Sequence, residues 1–234
     1  DFAKYGKRVD RARLEKVFGK IPMMVGAKFM YSRVDREERS RELGKALRML
    51  CLARVAHRVR HSAANGIPLG AEADDRSFKV LFMDVGLLCR SCGLSVLDIE
   101  RAGDPMLVNS GAVCEQFVGQ HLLQAGEFYE EPELYCWMRQ KSQSSAEVDY
   151  VFSVGEDVIP VEVKAGRTGT LKSLHVFLRE KQRAFGVRLN TDVPSLLDAE
   201  TCVAGGENKP FRLLSLPLYM VGQVRRLCRE CARS

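Results

Sequence analysis

The stretch Glu147-Val148-Asp149-Tyr150-Val151-Phe152-Ser153-Val154-Gly155-Glu156-Asp157-Val158-Ile159-Pro160-Val161-Glu162-Val163-Lys164 decides the reading of this chain. Two runs rich in β-branched and aromatic residues flank a short polar segment with a glycine, the pattern of a hairpin that turns near Gly155 and Glu156. Folding about that point sets Asp149 opposite Glu162 or Val163, on strands about 4.8 Å apart. Because strand side chains alternate, Ile159, Val161 and Val163 share one face. Glu162 and Lys164 share the other, spaced by roughly 6.7 Å along the strand. The expectation is an apolar face turned inward and a chemical face turned outward. Pro160 is a caution for a plain central strand, since it donates no ladder hydrogen bond.

Two converging carboxylates suit a hard cation. Magnesium or manganese takes oxygen ligands, so Asp149, Glu162 and the backbone carbonyl of Val163 form a candidate metal site, with waters completing the octahedron. Lys164 is then placed to orient a metal-bound water or to stabilise charge on a phosphate oxygen during phosphodiester hydrolysis. Glu115, from a preceding helix, is a candidate further carboxylate. The same Asp followed thirteen residues later by Glu-x-Lys also reads as the charged face of an exposed strand, a pattern that discourages edge pairing.

Working outward, Leu134 to Met138 reads as a third strand. Before it, a helix from about Asn109 to Gln124 turns Val113, Phe117, Val118, Leu122 and Leu123 to a core, with Glu115 off that strip. This unit opens near Gly103-Asp104-Pro105. After Ala165-Gly166 come a helix at about Leu171 to Gln182, strands at Gly186 to Leu189 and Phe211 to Leu216, and a closing helix from Leu218 to Arg229. Asn190 to Pro210 reads as a loop. The first hundred residues read as mostly helical with one hairpin. Glu37 to Leu52 is an amphipathic helix with Leu43, Ala46, Leu47 and Leu50 inward and Arg41, Lys45 and Arg48 on other faces. The runs Val55 to Val59 and Phe78 to Met83 then form a hairpin. Helices followed by a hairpin suggest a winged helix. Either its basic helix docks DNA, or the arginines form a solvated face and the module joins domains.

The expected architecture is therefore α/β (α+β), with a helical winged-helix-like segment over residues 1–104 and a mixed-sheet domain over 105–234. With 46% hydrophobic residues the chain can bury a core, which argues against disorder. The formal charge of +6, from 36 basic and 30 acidic residues, permits nucleic-acid binding without demonstrating it. No apolar run approaches the roughly 20 residues of a membrane span, and residues 1–5 lack the apolar stretch of a secretory signal, so a soluble cytoplasmic protein is expected. The eight cysteines read as reduced thiols. The pairs Cys89/Cys92 and Cys228/Cys231 have half-site spacing for zinc, but their apolar and basic-helix settings argue against a structural zinc centre. His57, His61, His121 and His175 have no triad or metal-like spacing.

The order helix, strand, strand with Asp, strand with Glu-x-Lys, helix, strand resembles the core of the PD-(D/E)XK nuclease superfamily. A closer resemblance extends over nearly the whole chain. Lys79-Val80-Leu81-Phe82-Met83-Asp84-Val85-Gly86-Leu87-Leu88, the Gly111 to Leu123 helix with Glu115, Glu147-Val148-Asp149-Tyr150-Val151 and Ile159-Pro160-Val161-Glu162-Val163-Lys164-Ala165-Gly166 are similar to the C-terminal region of a prokaryotic AAA-type ATPase family. Leu171-Lys172-Ser173-Leu174 and Leu216-Pro217-Leu218-Tyr219 share the likeness. In that family the region is a domain of unknown function related to PD-(D/E)XK nucleases. The resemblance implies Asp149 and Glu162 as metal ligands, Lys164 as the catalytic lysine and Glu115 as the helix carboxylate. It also implies an ATPase domain as partner in the full-length protein, since this chain has no Gly-x-x-x-x-Gly-Lys-Ser/Thr phosphate loop. Arg139, Arg167 and Lys172 flank the site in sequence and are candidate phosphate contacts, or plain solvated residues. DNA is the expected substrate. The alternatives are a catalytically inactive module that binds DNA or protein for the ATPase, and an oligomerisation domain.

Overall fold

The computed structural model describes residues 10–94, 110–126, 131–139, 146–166, 169–203 and 207–232. The described residues form a mixed α/β fold of seven α-helices and eight strands. In chain order the helices are α1 (Arg11–Lys20), α2 (Tyr31–Val34), α3 (Ser40–Leu52), α4 (Val85–Ser91), α5 (Ser110–Gln124), α6 (Lys172–Glu180) and α7 (Val224–Cys231). The strands are β1 (Ala56–Ser62), β2 (Ala73–Phe82), β3 (Leu134–Met138), β4 (Glu147–Val154), β5 (Asp157–Val163), β6 (Phe185–Asn190), β7 (Ser195–Glu200) and β8 (Pro210–Pro217). All eight join one sheet in the order β2-β1-β3-β4-β5-β6-β8-β7. Among the described residues no helix is long and apolar enough to cross a membrane.

The expected hairpin about Gly155 and Glu156 is present as β4 and β5. Val154 faces Asp157 across a two-residue turn in which Gly155 has φ 60°, a conformation glycine adopts without strain. With β3 it makes an antiparallel meander. Beyond it, β5, β6 and β8 run parallel. Pro160 sits within β5, and the ladder to β6 begins one residue later at Val161.

The hairpin β1–β2 is the edge of this same sheet. Strand β1 pairs in parallel with β3, Val59 to Leu134 through His61 to Cys136. The sheet is therefore continuous from the β1–β2 hairpin into the unit that follows. The expected boundary near Gly103-Asp104-Pro105 lies outside the described residues.

Helices cover both faces. Helices α1 and α3 turn Leu14, Val17, Leu43, Ala46, Leu47 and Leu50 onto Phe78, Val80 and Phe82 of β2, on one side of the sheet. Helix α5 lies on the other side, where Val118 and Leu122 meet Val59, Leu81, Tyr150 and Val161. Each such fully buried aliphatic or aromatic side chain contributes about 1.5–3 kcal/mol relative to exposure. Helix α6 covers β4 and β5 from their opposite face, with Phe177 edge-on to Trp137 at 5.2 Å. Glu162 is 6% exposed, contrary to the outward, solvent-facing orientation expected from alternation.

One segment departs from the expected loop. Residues Ser195–Glu200 form the edge strand β7 against β8, although all but Ala199 are polar, charged or exposed. The closing helix begins as a tight turn at Leu218–Gln223 and becomes α-helical only at Val224.

Candidate active site

Two elements place three carboxylates around one buried cation held by a third. Strand β2 supplies Lys79, only 2% exposed, in register with Val59 of β1 and so on the α5 side of the sheet. Helix α5 supplies Glu115, and β4 supplies Glu147 and Asp149. The Lys79 Nζ lies 3.1 Å from a Glu115 oxygen and 3.3 Å from Asp149 Oδ1, and it is ion-paired with Glu147.

A β-bulge aims Asp149 into this cluster. Tyr135 faces Val151 and Trp137 faces Val148, so three steps on β4 oppose two on β3. Val148 and Val151 both pack on the α6 side, and the intervening Asp149 and Tyr150 are turned toward α5. Without the extra residue, strict alternation would put Asp149 and Tyr150 on opposite faces.

The remaining oxygen of Asp149, Oδ2, accepts a 2.8 Å hydrogen bond from the backbone N–H of Val163, which ties it to the strand of Glu162. Lys164 Nζ donates to Glu162 Oε1 at 2.7 Å. The other oxygen, Glu162 Oε2, is buried and has no hydrogen-bond partner. Thus the structure brings Glu115 and Asp149 together through Lys79, and sets the Glu162–Lys164 pair beside them.

The electrostatics show a shortage of positive charge. Burial, reinforced by the charge of Asp149, pushes the Glu115 carboxyl up to about 8 and the Glu162 carboxyl to about 7. Burial alone would lower the Lys79 ammonium. Glu115, Asp149 and Glu147 together outweigh it and hold Lys79 well above its ordinary value. Four carboxylates thus share two ammonium groups in a site largely screened from water.

The N-terminal half closes the site from above. Gly26, with φ +81°, approaches so near that a Cβ there would lie 3.3 Å from Glu115 Oε1. At the back, Tyr150 donates to the backbone carbonyl of Glu115 at 2.7 Å. This approach requires Gly119, where a Cβ would fall 2.5 Å from both Tyr150 Oη and Leu81 Cδ1. Gln116, fully buried, exchanges two 2.8 Å hydrogen bonds with the backbone of Phe82 and fixes α5 to the end of β2.

The flanking cations behave differently from the core pair. Arg139 is bound to Glu180 of α6 at 2.7 Å, a half-buried structural pair. Lys172 opens α6 and is exposed. Arg167 lies outside the described residues. His61 accepts from the Met138 N–H and His175 from the Cys202 N–H, and His121 contacts the Phe117 carbonyl. All eight cysteines are free thiols. Cys92 packs in the α1–α3 core and Cys228 in the α5 core, so the two half-site pairs lie in different clusters. Among the described residues no three His, Cys, Asp or Glu side chains converge at metal-ligand spacing. In the Glu115, Glu147 and Asp149 group, the Lys79 ammonium occupies the centre.

Lys79 and Glu147 were not among the expected site residues. Lys79 is the single charge inside the apolar run Phe78 to Met83, which is the signal of a buried cation awaiting partners. Glu147 lies two residues from Asp149 and so on the same face of β4 by alternation, a signal the sequence does carry.

Residues 110–200 match the model of a domain of unknown function, DUF4143, and residues 1–98 match that of another, DUF8612. No curated protein and no solved structure matches the chain.

Proposed function

We propose that this chain is a metal-dependent DNA nuclease module with a PD-(D/E)XK-like core, joined through its winged-helix-like N-terminal unit to the action of an AAA-type ATPase domain. The observation that carries the reading is the buried, unpartnered Glu162 Oε2 beside Asp149, in a cluster where four carboxylates face two lysines. An orphaned buried carboxylate oxygen is costly unless a cation completes it. Asp149, Glu162 and the Val163 carbonyl would hold magnesium or manganese. Bound there, the ion supplies Lewis-acid polarisation of a phosphodiester and a water of lowered pKa. Lys164, kept beside Glu162 and backed by the chain at Gly169, is positioned to stabilise charge on a phosphate oxygen. Glu115 and Lys79 set the charge behind Asp149. The DUF4143 match supports the ATPase partnership, since that domain is commonly found with AAA ATPases.

A second reading rests on Lys79. Its ammonium already serves three carboxylates, so the core is also suited to a non-catalytic module that binds DNA or protein for the ATPase. Cleavage of single-stranded, duplex and branched DNA in magnesium or manganese separates the two. Product that disappears in both Asp149→Ala and Lys164→Ala establishes the nuclease. Absence of product from a folded, metal-loaded chain establishes the binding module.

A further inference from the structure

On the face of the sheet opposite the carboxylate cluster, α3 and β1 form a second, basic groove of about 670 Å3. Val59 and Lys79 point toward α5, so their neighbour Arg58, across from Val80, points the other way. Arg58, Arg41, Lys45 and Arg48 line the groove with Tyr31 and Ser40, and no acidic residue lines it. Arg41, Lys45 and Arg48 are exposed. Glu42 holds Lys45 from outside the groove at 2.9 Å. Among the described residues neither Arg48 nor Arg58 has a carboxylate within ion-pair distance.

Three features show a prepared site rather than a solvated helix face. The Arg58 guanidinium stacks on Phe78, 4.8 Å from the ring centroid, and its Nε is buried without a hydrogen-bond partner. Tyr31 is fixed against Phe29 and Phe78 at 5.3 and 6.3 Å, so its hydroxyl is held in place. Gly44 interrupts an otherwise well-formed helix, and a Cβ there would come 3.3 Å from that hydroxyl. Glycine inside a helix is unfavourable relative to alanine, and here it gives the phenol its space. A stacked guanidinium fork, two further arginines and a fixed hydroxyl donor match the non-bridging oxygens of phosphodiesters.

We propose that this groove binds the phosphate backbone of a nucleic acid, at a site separate from the carboxylate cluster. It positions the strand without reading bases, because its groups are cations and one hydroxyl. The inference does not depend on cleavage by the cluster.

The test is fluorescence anisotropy of the full chain with a labelled 25-base-pair duplex and the matching single strand, across a sodium chloride series. Arg41→Glu/Arg48→Glu changes exposed side chains only. Arg58→Lys keeps the charge and removes the fork. Lys209→Glu/Arg226→Glu makes the same charge change at exposed positions away from the groove. Unchanged Trp137 emission certifies folding. The groove double variant is expected to weaken binding at least tenfold and to flatten the slope of log K against log salt by about two. Arg58→Lys is expected to weaken binding severalfold, and the control pair less than twofold. Equal losses in the groove and control pairs would overturn the proposal, as would no binding by the parent. Displacement of DNA by polyglutamate at equal charge would also overturn it, in favour of an acidic protein partner. Preference for duplex or single strand identifies which backbone the groove takes.

Discussion

Replacing Lys79 by methionine keeps most of the length of the unbranched side chain and removes its charge. Its side chain is 3% exposed and faces Glu115, Glu147 and Asp149, so solvent cannot take the place of the ammonium. Removing one partner of a buried pair costs about 3–5 kcal/mol, because the remaining charge is left unmatched. Lys79→Met is therefore expected to cost that much near pH 8, where Glu115 is losing its proton. The loss should shrink in acid, as the carboxyls become neutral. Adding Glu115→Gln removes one of the stranded charges, and the pair should couple by about 0.5–3 kcal/mol. Urea unfolding followed by the fluorescence of Trp137, the sole tryptophan and 3% exposed, reads all four corners of the cycle. A folded Lys79→Met within about 1 kcal/mol of the parent at pH 8, additive with Glu115→Gln, would refute the buried counter-ion.

Further expectations follow from the same contacts. Glu115 and Glu162 have folded pKa values of about 8 and about 7, above their ordinary 4.5, so the folded chain keeps protons that the unfolded chain has released. Stability should fall as pH rises from about 4.5 through 7 to 8, by up to about 1.4 kcal/mol per pH unit per group; Glu115→Gln and Glu162→Gln should each flatten that decline in urea titrations. Gly119→Ala places a methyl against Leu81 and Tyr150 and is expected to cost about 1–3 kcal/mol. Gly19→Ala, in α1 with open space around its Cβ position, should be neutral or stabilising by up to about 1 kcal/mol, and a thermal melt distinguishes the two. Arg139→Ala should lower the melting temperature through loss of Glu180, with no change in the salt slope of DNA binding.

The meander β3–β5 was legible because its information is local: alternation, β-branched residues and a two-residue turn at Gly155 and Glu156. The helix with Glu115 was legible from the spacing of Val118 and Leu122. Strand β7 was not, since Ser195–Glu200 is a half-exposed edge held by pairing with β8 rather than by its own apolar pattern. The parallel join of β1 to β3 links Val59 to Leu134, far apart in sequence, and no local signal encodes it. The same non-local closure brings Lys79 to Asp149. Alternation predicted that Glu162 and Lys164 share a face of β5, where they pair, but not that Glu162 is buried.

Under the proposed function, Asp149 and Glu162 complete their charge with a divalent cation. Calorimetric titration of manganese into the full chain at pH 7, in two buffers of different ionisation enthalpy, tests it most directly. One ion per chain should bind with release of a fraction of a proton, since Glu162 is partly protonated near its pKa of about 7 and must ionise to serve as a ligand. Binding should vanish in Asp149→Ala and Glu162→Gln. A folded parent that takes up no manganese at millimolar concentration, or that binds it equally well in both variants, would contradict the account.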